Sequence, residues 1–204
     1  MKIEVMPKEG RKELRTIFLD GEAWRDIHTS IFGRDPSCPS CATRAEWKEV
    51  FEKWEYQRVK NYVIWRLSNQ PYHSQQLHKL LRERLVCQQT ISKVIDECLS
   101  SGYLDDETWI ESCMRSQKKK NGLRSILLKL QAKGLTAETL QEIRSNWNCP
   151  EEEKGAIAYL LRTRYRNKNL NDFREKQKVI ASLMRKGYAF EQIQAALEDS
   201  TEGD

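Results

Sequence analysis

Asp105 and Asp106 are adjacent carboxylates, a type and spacing that could share a cation or divide acid and base work. A simpler task fits them better. Just ahead of a helix, Asp105 can accept backbone N–H bonds while Asp106 sits at the positive end of the helix dipole, together stabilising it by about 1 to 2 kcal/mol. No histidine stands near them to complete a metal site. Cys38-Pro39-Ser40-Cys41 has the two-residue gap of a zinc or redox pair, but structural zinc takes four ligands, and only His28 lies close in sequence. A thioredoxin-like role would need strand-helix-strand surroundings that this stretch lacks, so the pair reads as loop cysteines. His73 and His78 flank a helix start at a gap of five, off a common face for ligation, and read as surface residues. With three histidines and no nucleophile motif, nothing in the chain supports catalysis.

The cations carry more information. Between Arg115 and Lys133 there are seven basic residues (Arg115, Lys118, Lys119, Lys120, Arg124, Lys129 and Lys133) and no acidic one. Between Arg162 and Lys186 nine basic residues stand against Asp172 and Glu175. Two cationic stretches in one half of the chain attract a polyanion, so nucleic acid, bare or coated with protein, is the leading partner class. The bland alternative is a solvated helix face, with Lys118 to Lys120 merely offsetting a dipole. Against it stand the length of the acid-free run and the alternation of Arg162, Arg164 and Arg166, which spreads charge around a helix end. Six tryptophans (Trp24, Trp47, Trp54, Trp65, Trp109 and Trp147) could stack on unpaired bases. Most follow helical apolar spacing, however, and Trp65, beside Val63, Ile64 and Leu67, reads as core.

These residues have to be positioned by 204 residues, of which 39% are hydrophobic and 32% charged. That balance suits amphipathic helices sharing thin cores. No apolar run is long enough to span a membrane, and the start, Met1-Lys2-Ile3-Glu4, has none of the character of a secretory signal. The expectation is a cytoplasmic protein whose six cysteines are reduced. The first 27 residues read as a small β-hairpin, Ile3 to Met6 and Leu14 to Leu19, with Asp20-Gly21 as a tight turn before Ala23-Trp24. Gly33 to Cys41, with two prolines, is a linker. From about Ala45 onward the apolar spacing is helical, as in Trp47, Val50, Phe51 and Trp54.

The helical part repeats itself. Leu77 to Val94, Ile126 to Ile143 and Val179 to Ala196 align without gaps, about 50 residues apart. Each copy has an apolar residue, a leucine four later (Leu81, Leu130, Leu183) and then a base (Arg84, Lys133, Lys186). In the second and third copies Gly134 or Gly187 follows the base, the pattern of a helix end with a left-handed cap. Thr136 can cap the helix that follows. Each copy is thus a helix, a turn and a second helix. Longer helices at roughly 45 to 69, 105 to 120 and 150 to 168 precede the copies, which makes tandem three-helix units strung into an elongated rod.

Gly102-Tyr103-Leu104-Asp105-Asp106-Glu107-Thr108-Trp109 resembles the Gly-x-Leu-Asp-Asp-x-x-aromatic signature of the RecX regulators of bacterial RecA recombinase. Ser74-Gln75-Gln76-Leu77, Lys133-Gly134-Leu135, and Arg185-Lys186-Gly187-Tyr188 with Ile193 and Leu197 also resemble the family's repeats, and Ile17 to Glu22 resembles a strand-turn segment that some members carry. The resemblance implies that Trp109 is buried. It also implies a non-enzymatic protein that lodges in the groove of a RecA filament on single-stranded DNA and restrains its recombination and ATP hydrolysis in DNA repair.

The resulting expectation is a mainly all-α chain of three tandem three-helix repeats behind a β-hairpin. Its parts are the hairpin segment 1-32, a linker 33-44, repeats 45-101, 102-149 and 150-198, and an acidic tail 199-204. The expected contact residues are Arg115, Lys118, Lys119, Lys120, Arg124, Arg162, Arg164 and Arg166. The expected partners are the RecA filament and its single-stranded DNA, met as a monomer, with no membrane, metal or cofactor. Stand-alone nucleic-acid binding and a protein-binding helical scaffold are the alternatives.

Overall fold

The structure, a computed structural model, describes residues 1–118, 120–147 and 150–201. Lys119, Cys149 and the last part of the expected tail, 202–204, lie outside the described residues. The chain divides into two compact units, Met1–Trp109 and Ile110–Asp204.

The first unit opens with an antiparallel sheet of β1 (Ile3–Lys8), β2 (Arg11–Leu19) and β3 (Glu22–His28) in that order. Asp20 and Gly21 turn the chain between β2 and β3 at φ 51° and 87°, as a tight hairpin requires. The expected β-hairpin about Asp20-Gly21 is part of a three-stranded meander. Its cross-strand pairing is partly polar, which hides the alternation that normally marks a strand: Asp26 of β3 takes the Thr16 hydroxyl at 2.7 Å and also pairs with Lys8. Ile17, Leu19 and Ile27 are buried beneath the sheet.

After the short α1 (Thr29–Phe32) and an irregular segment come α2 (Arg44–Asn69), α3 (Ser74–Glu83), α4 (Gln88–Ser100) and α5 (Asp106–Lys118). The long α2 starts at the Thr43 cap and buries Trp47, Phe51, Glu55, Val59, Tyr62 and Val63. Steps of four residues advance about 40° around a helix of 3.6 residues per turn, so this stripe drifts along α2. By its last turns the stripe has rotated away from Trp65, which is 57% exposed and does not join the core as expected. Glu55 is the one carboxylate of α2 inside the stripe. Its oxygens take the Arg25 guanidinium at 3.0 Å, the Thr90 hydroxyl at 2.7 Å and the Cys87 N–H at 3.4 Å. One buried group thereby ties the sheet, α2 and the start of α4 together, and it is fully partnered, as burial of a charge demands.

The turn after α3 shows how the first repeat differs from the others. Leu85 stands where Gly134 and Gly187 stand in the later copies, and it adopts the same left-handed region at φ 60°, against 102° and 90° for the glycines. Leu81, Leu130 and Leu183, the aligned leucines, are all buried to within 1%.

In the second unit α5 is followed by α6 (Leu123–Lys133), α7 (Ala137–Ser145), α8 (Pro150–Thr163), α9 (Phe173–Arg185) and α10 (Phe190–Thr201). Thr136 caps α7 through the Thr139 N–H, as its position predicts. Ile157, Val179, Leu183, Tyr188, Ile193 and Leu197 gather α8, α9 and α10 around one core. The start of α6 lies against the turn between α9 and α10. There the Gly122 N–H donates to the Lys186 carbonyl at 3.0 Å, and a Cβ on either Gly122 or Gly187 would overlap the facing backbone.

Helix starts are satisfied across the chain as well as locally. Asp105 caps α5 through the Thr108 N–H at 2.9 Å, as expected. Asp106 instead turns to α3, where it takes the Ser74 N–H at 2.6 Å and the Ser74 hydroxyl. Glu153 of α8, 5% exposed, takes the Leu123 N–H at the start of α6 at 3.2 Å. His73, expected at the surface, is only 3% exposed. It caps α3 through the Gln75 N–H and meets the edge of Trp109, itself buried, at 5.4 Å.

Candidate polyanion-binding surface

The expected contact residues fall on α5, α6, α8 and the turns between them. Arg115, Lys120, Arg124, Arg162, Arg164 and Arg166 are exposed. Lys118 is not free to act in the same way, because it pairs with Glu152 at 3.1 Å and lies 5.0 Å from the Trp147 ring centre. Trp147 is therefore covered by a cation, an arrangement in which the ring's negative face is already used.

Arg124 and Arg162 line different grooves. Arg124 sits with Arg144 on an apolar groove between α6 and α7 floored by Leu127, Leu128, Leu135 and Leu140. Arg162, in the last turn of α8, lines a different groove beside Lys154 and Asp199, which pair at 2.5 Å. Arg164 and Arg166 follow the end of α8, where the Arg164 N–H still closes on Leu160 at 2.9 Å.

A tighter gathering of charge surrounds the turn from Gln117 to Gly122. Lys186, at the end of α9, donates to the Lys120 carbonyl at 3.4 Å. Lys129 of α6 donates to Gln117 Oε1 at 3.0 Å, the same oxygen that takes the Asn121 amide at 2.9 Å. Burial first, and then the charges of Arg164 and Lys129, push the Lys186 ammonium below its ordinary range. The charges that act on Lys186 are thus cations, and the acceptors that hold Lys186 and Lys129 are neutral. Of the expected contacts among the described residues, Lys120 supplies the carbonyl that takes Lys186, and the charge of Arg164 acts on Lys186. Lys129 and Lys186 were counted in the basic stretches but not singled out, and the glycine after Lys186 was the signal that its helix end meets another backbone.

The loop with Cys38 and Cys41 lies against Met1, Ile3 and Val5. Burial raises the Cys38 thiol above its ordinary value, and the Cys41 thiol donates to the Thr43 carbonyl at 3.1 Å. A thiol held protonated is a poor nucleophile and a poor ligand. Among the described residues no helix is long and apolar enough to cross a membrane.

Residues 151–197 match the family description "RecX, third three-helix domain". A crystal structure of regulatory protein RecX superposes with a TM-score of 0.60 over 97% of this chain and 98% of that one, at 20% identity, a likeness of fold. The regulatory protein RecX of Bacillus velezensis is 26% identical over 150 residues, covering 72% of this chain and 56% of the relative. This chain thus spans about half the length of that relative. The regulatory protein RecX of Mycobacterium leprae is 30% identical over 118 residues, covering 56% of this chain and 68% of the relative. With that match and the third helical domain in place, the chain belongs to the RecX family of regulatory proteins.

Proposed function

We propose that this chain binds the RecA recombinase filament on single-stranded DNA as a cytoplasmic monomer and restrains its recombination and ATP hydrolysis. The three-helix units are the modules of that contact, and the work is steric and electrostatic. The observation that carries the reading is the set of exposed cations on the second unit, Arg115, Lys120, Arg124, Arg162 and Arg166, in a member of a regulatory family. Exposed cations cost nothing to desolvate before a partner arrives, and they lower the energy of approach to a phosphate-lined groove. Arginine adds a planar fork that holds phosphate or carboxylate through two bonds.

The test is the DNA-dependent ATPase of a recombinase, followed as substoichiometric protein is added. The expected result is a fall in rate that Lys120→Ala, Arg124→Ala, Arg162→Ala and Arg166→Ala together relieve, with the melting temperature little changed. An unaffected ATPase with strong binding to bare DNA would replace this reading with stand-alone nucleic-acid binding. Inhibition unchanged by the four substitutions would favour a contact made through uncharged surface.

A further inference from the structure

The three aligned copies differ in what covers their last helix. In the first copy α2 packs on α4, and in the third α8 packs on α10, whereas α7 of the second copy packs on α6. The aligned side chains follow this difference. Ile91 and Ile95 of α4 are buried, as are Ile193 and Leu197 of α10. Their counterparts on α7 are Leu140, which is half-buried, and Arg144, which is exposed. The adjoining face of α6 is open too. Leu128 is 59% exposed at the position where the first copy carries Lys79, and Leu127 is half-buried where the third copy buries Ile180.

The two faces make one groove, apolar along its floor and cationic at the helix ends remote from the connecting turn, because Arg124 stands in the first turn of α6 and Arg144 in the last turn of α7. No carboxylate lines it: α6 has none, and Glu138 and Glu142 of α7 lie outside the lining. Among the described residues neither arginine takes part in an ion pair. An open apolar groove receives the apolar face of an amphipathic helix, and the other two copies fill the matching place with a helix of their own. The arginines select the charge of the occupant. Carboxylates beside its apolar face can be held by the guanidinium forks through two bonds each. A nucleic-acid strand would instead set phosphates on leucine, with no partner there to hold them.

We propose that the groove between α6 and α7 docks one amphipathic helix of a partner protein, with leucine-type side chains on its inner face and carboxylates flanking them. This goes beyond the proposed function, and its test uses neither recombinase nor filament.

The probe is a fluorescent synthetic helix with leucines at i, i+3, i+4 and i+7 and glutamates on the flanks, set against the same peptide with lysines for the glutamates. Anisotropy measures binding to the full chain. The glutamate helix is expected to bind, and the lysine helix to bind more weakly by roughly tenfold or more. Leu128→Gln, at an exposed position, is expected to weaken the glutamate helix by roughly tenfold, and Leu128→Met to retain it. Arg124→Glu with Arg144→Glu is expected to reverse the preference between the two peptides. If that chain fails to fold, Arg124→Gln and Arg144→Gln carry this arm, each weakening the glutamate helix by roughly two- to fivefold. A glutamate helix that does not bind, equal binding of the two helices, or binding unmoved by Leu128→Gln overturns the proposal. So does dimerisation of the chain in sedimentation that Leu128→Gln abolishes, which would give the groove to a second copy. Oligothymidylate binding that Leu128→Gln weakens as much as it weakens the glutamate helix would give the groove to nucleic acid, and overturns the proposal as well.

Discussion

Asp106 Oδ1 takes the backbone N–H of Ser74 at 2.6 Å, across 32 residues of chain. The carboxylate at the first position of α5 therefore satisfies the start of α3, and its other oxygen holds the Ser74 hydroxyl. Replacement of Asp106 by Ala is expected to lower stability by about 1 to 2 kcal/mol in urea denaturation, the usual scale for a lost cap. Asp106→Asn, which keeps one acceptor, should recover part of it. An Asp106→Ala chain as stable as wild type would show that water serves Ser74 equally well.

Gly122 and Gly187 leave no room for a side chain where α6 meets the turn after α9. Gly122→Ala should cost about 2 to 3 kcal/mol through displacement of the facing backbone. Gly187→Ala should cost at least as much, since φ there is 90° and a Cβ adds left-handed strain to the overlap. Thermal melts check both, and a Gly122→Ala chain with an unchanged midpoint would contradict the close approach.

Leu85 offers the opposite case. Its φ of 60° lies where Gly134 and Gly187 sit in the later copies. The side chain is 42% exposed, so little packing is lost on removing it. Leu85→Gly is expected to stabilise by up to about 1 kcal/mol, the left-handed penalty less the added freedom of the unfolded chain. Its signature is a higher midpoint in denaturant with an unchanged slope.

His73 makes stability depend on pH. Burial lowers its pKa from 6.5, and the nearby Asp106 only partly counters that. A depressed histidine binds its proton more weakly folded than unfolded, so its contribution is whole above about pH 6.5 and is lost as pH falls through the folded value. His73→Asn keeps an acceptor at the cap without the titration. Its melting temperature should fall less steeply than that of wild type between about pH 6.5 and 5. The slope that remains belongs in part to His28, depressed by burial and by Arg84.

Much of this architecture was legible in residue types and spacing. The aligned leucines Leu81, Leu130 and Leu183 are core, Gly134 adopts the left-handed cap, and Thr136 and Asp105 cap the helices they precede. All of these depend on neighbours within a few residues. What escaped depends on distant chain. Asp106 could be placed at a helix start, but nothing nearby names Ser74 as its partner. Trp65 looked apolar by its neighbours, yet the slow rotation of the stripe along α2 left it outside. His73 is hidden because Trp109 folds over it. The basic stretches were visible as composition, whereas the approach of Lys186 to the turn that also holds Lys129 needed the backbone contact at Gly122 to bring α6 and α9 together.

The long-range caps also bear on how the protein is made. As the chain leaves the ribosome, α3 is complete before Asp106 exists to serve Ser74, and α6 is complete before Glu153 can serve Leu123. One N–H at the start of each of these helices therefore gains its protein acceptor only when a later stretch has been synthesised, although His73 already caps α3 locally through the Gln75 N–H. At α9 the acceptor is local, as it also is at α2, α5 and α7: Asp172, immediately ahead, takes the Glu175 N–H at 2.9 Å. That helix is sealed by its own neighbour and waits for nothing downstream.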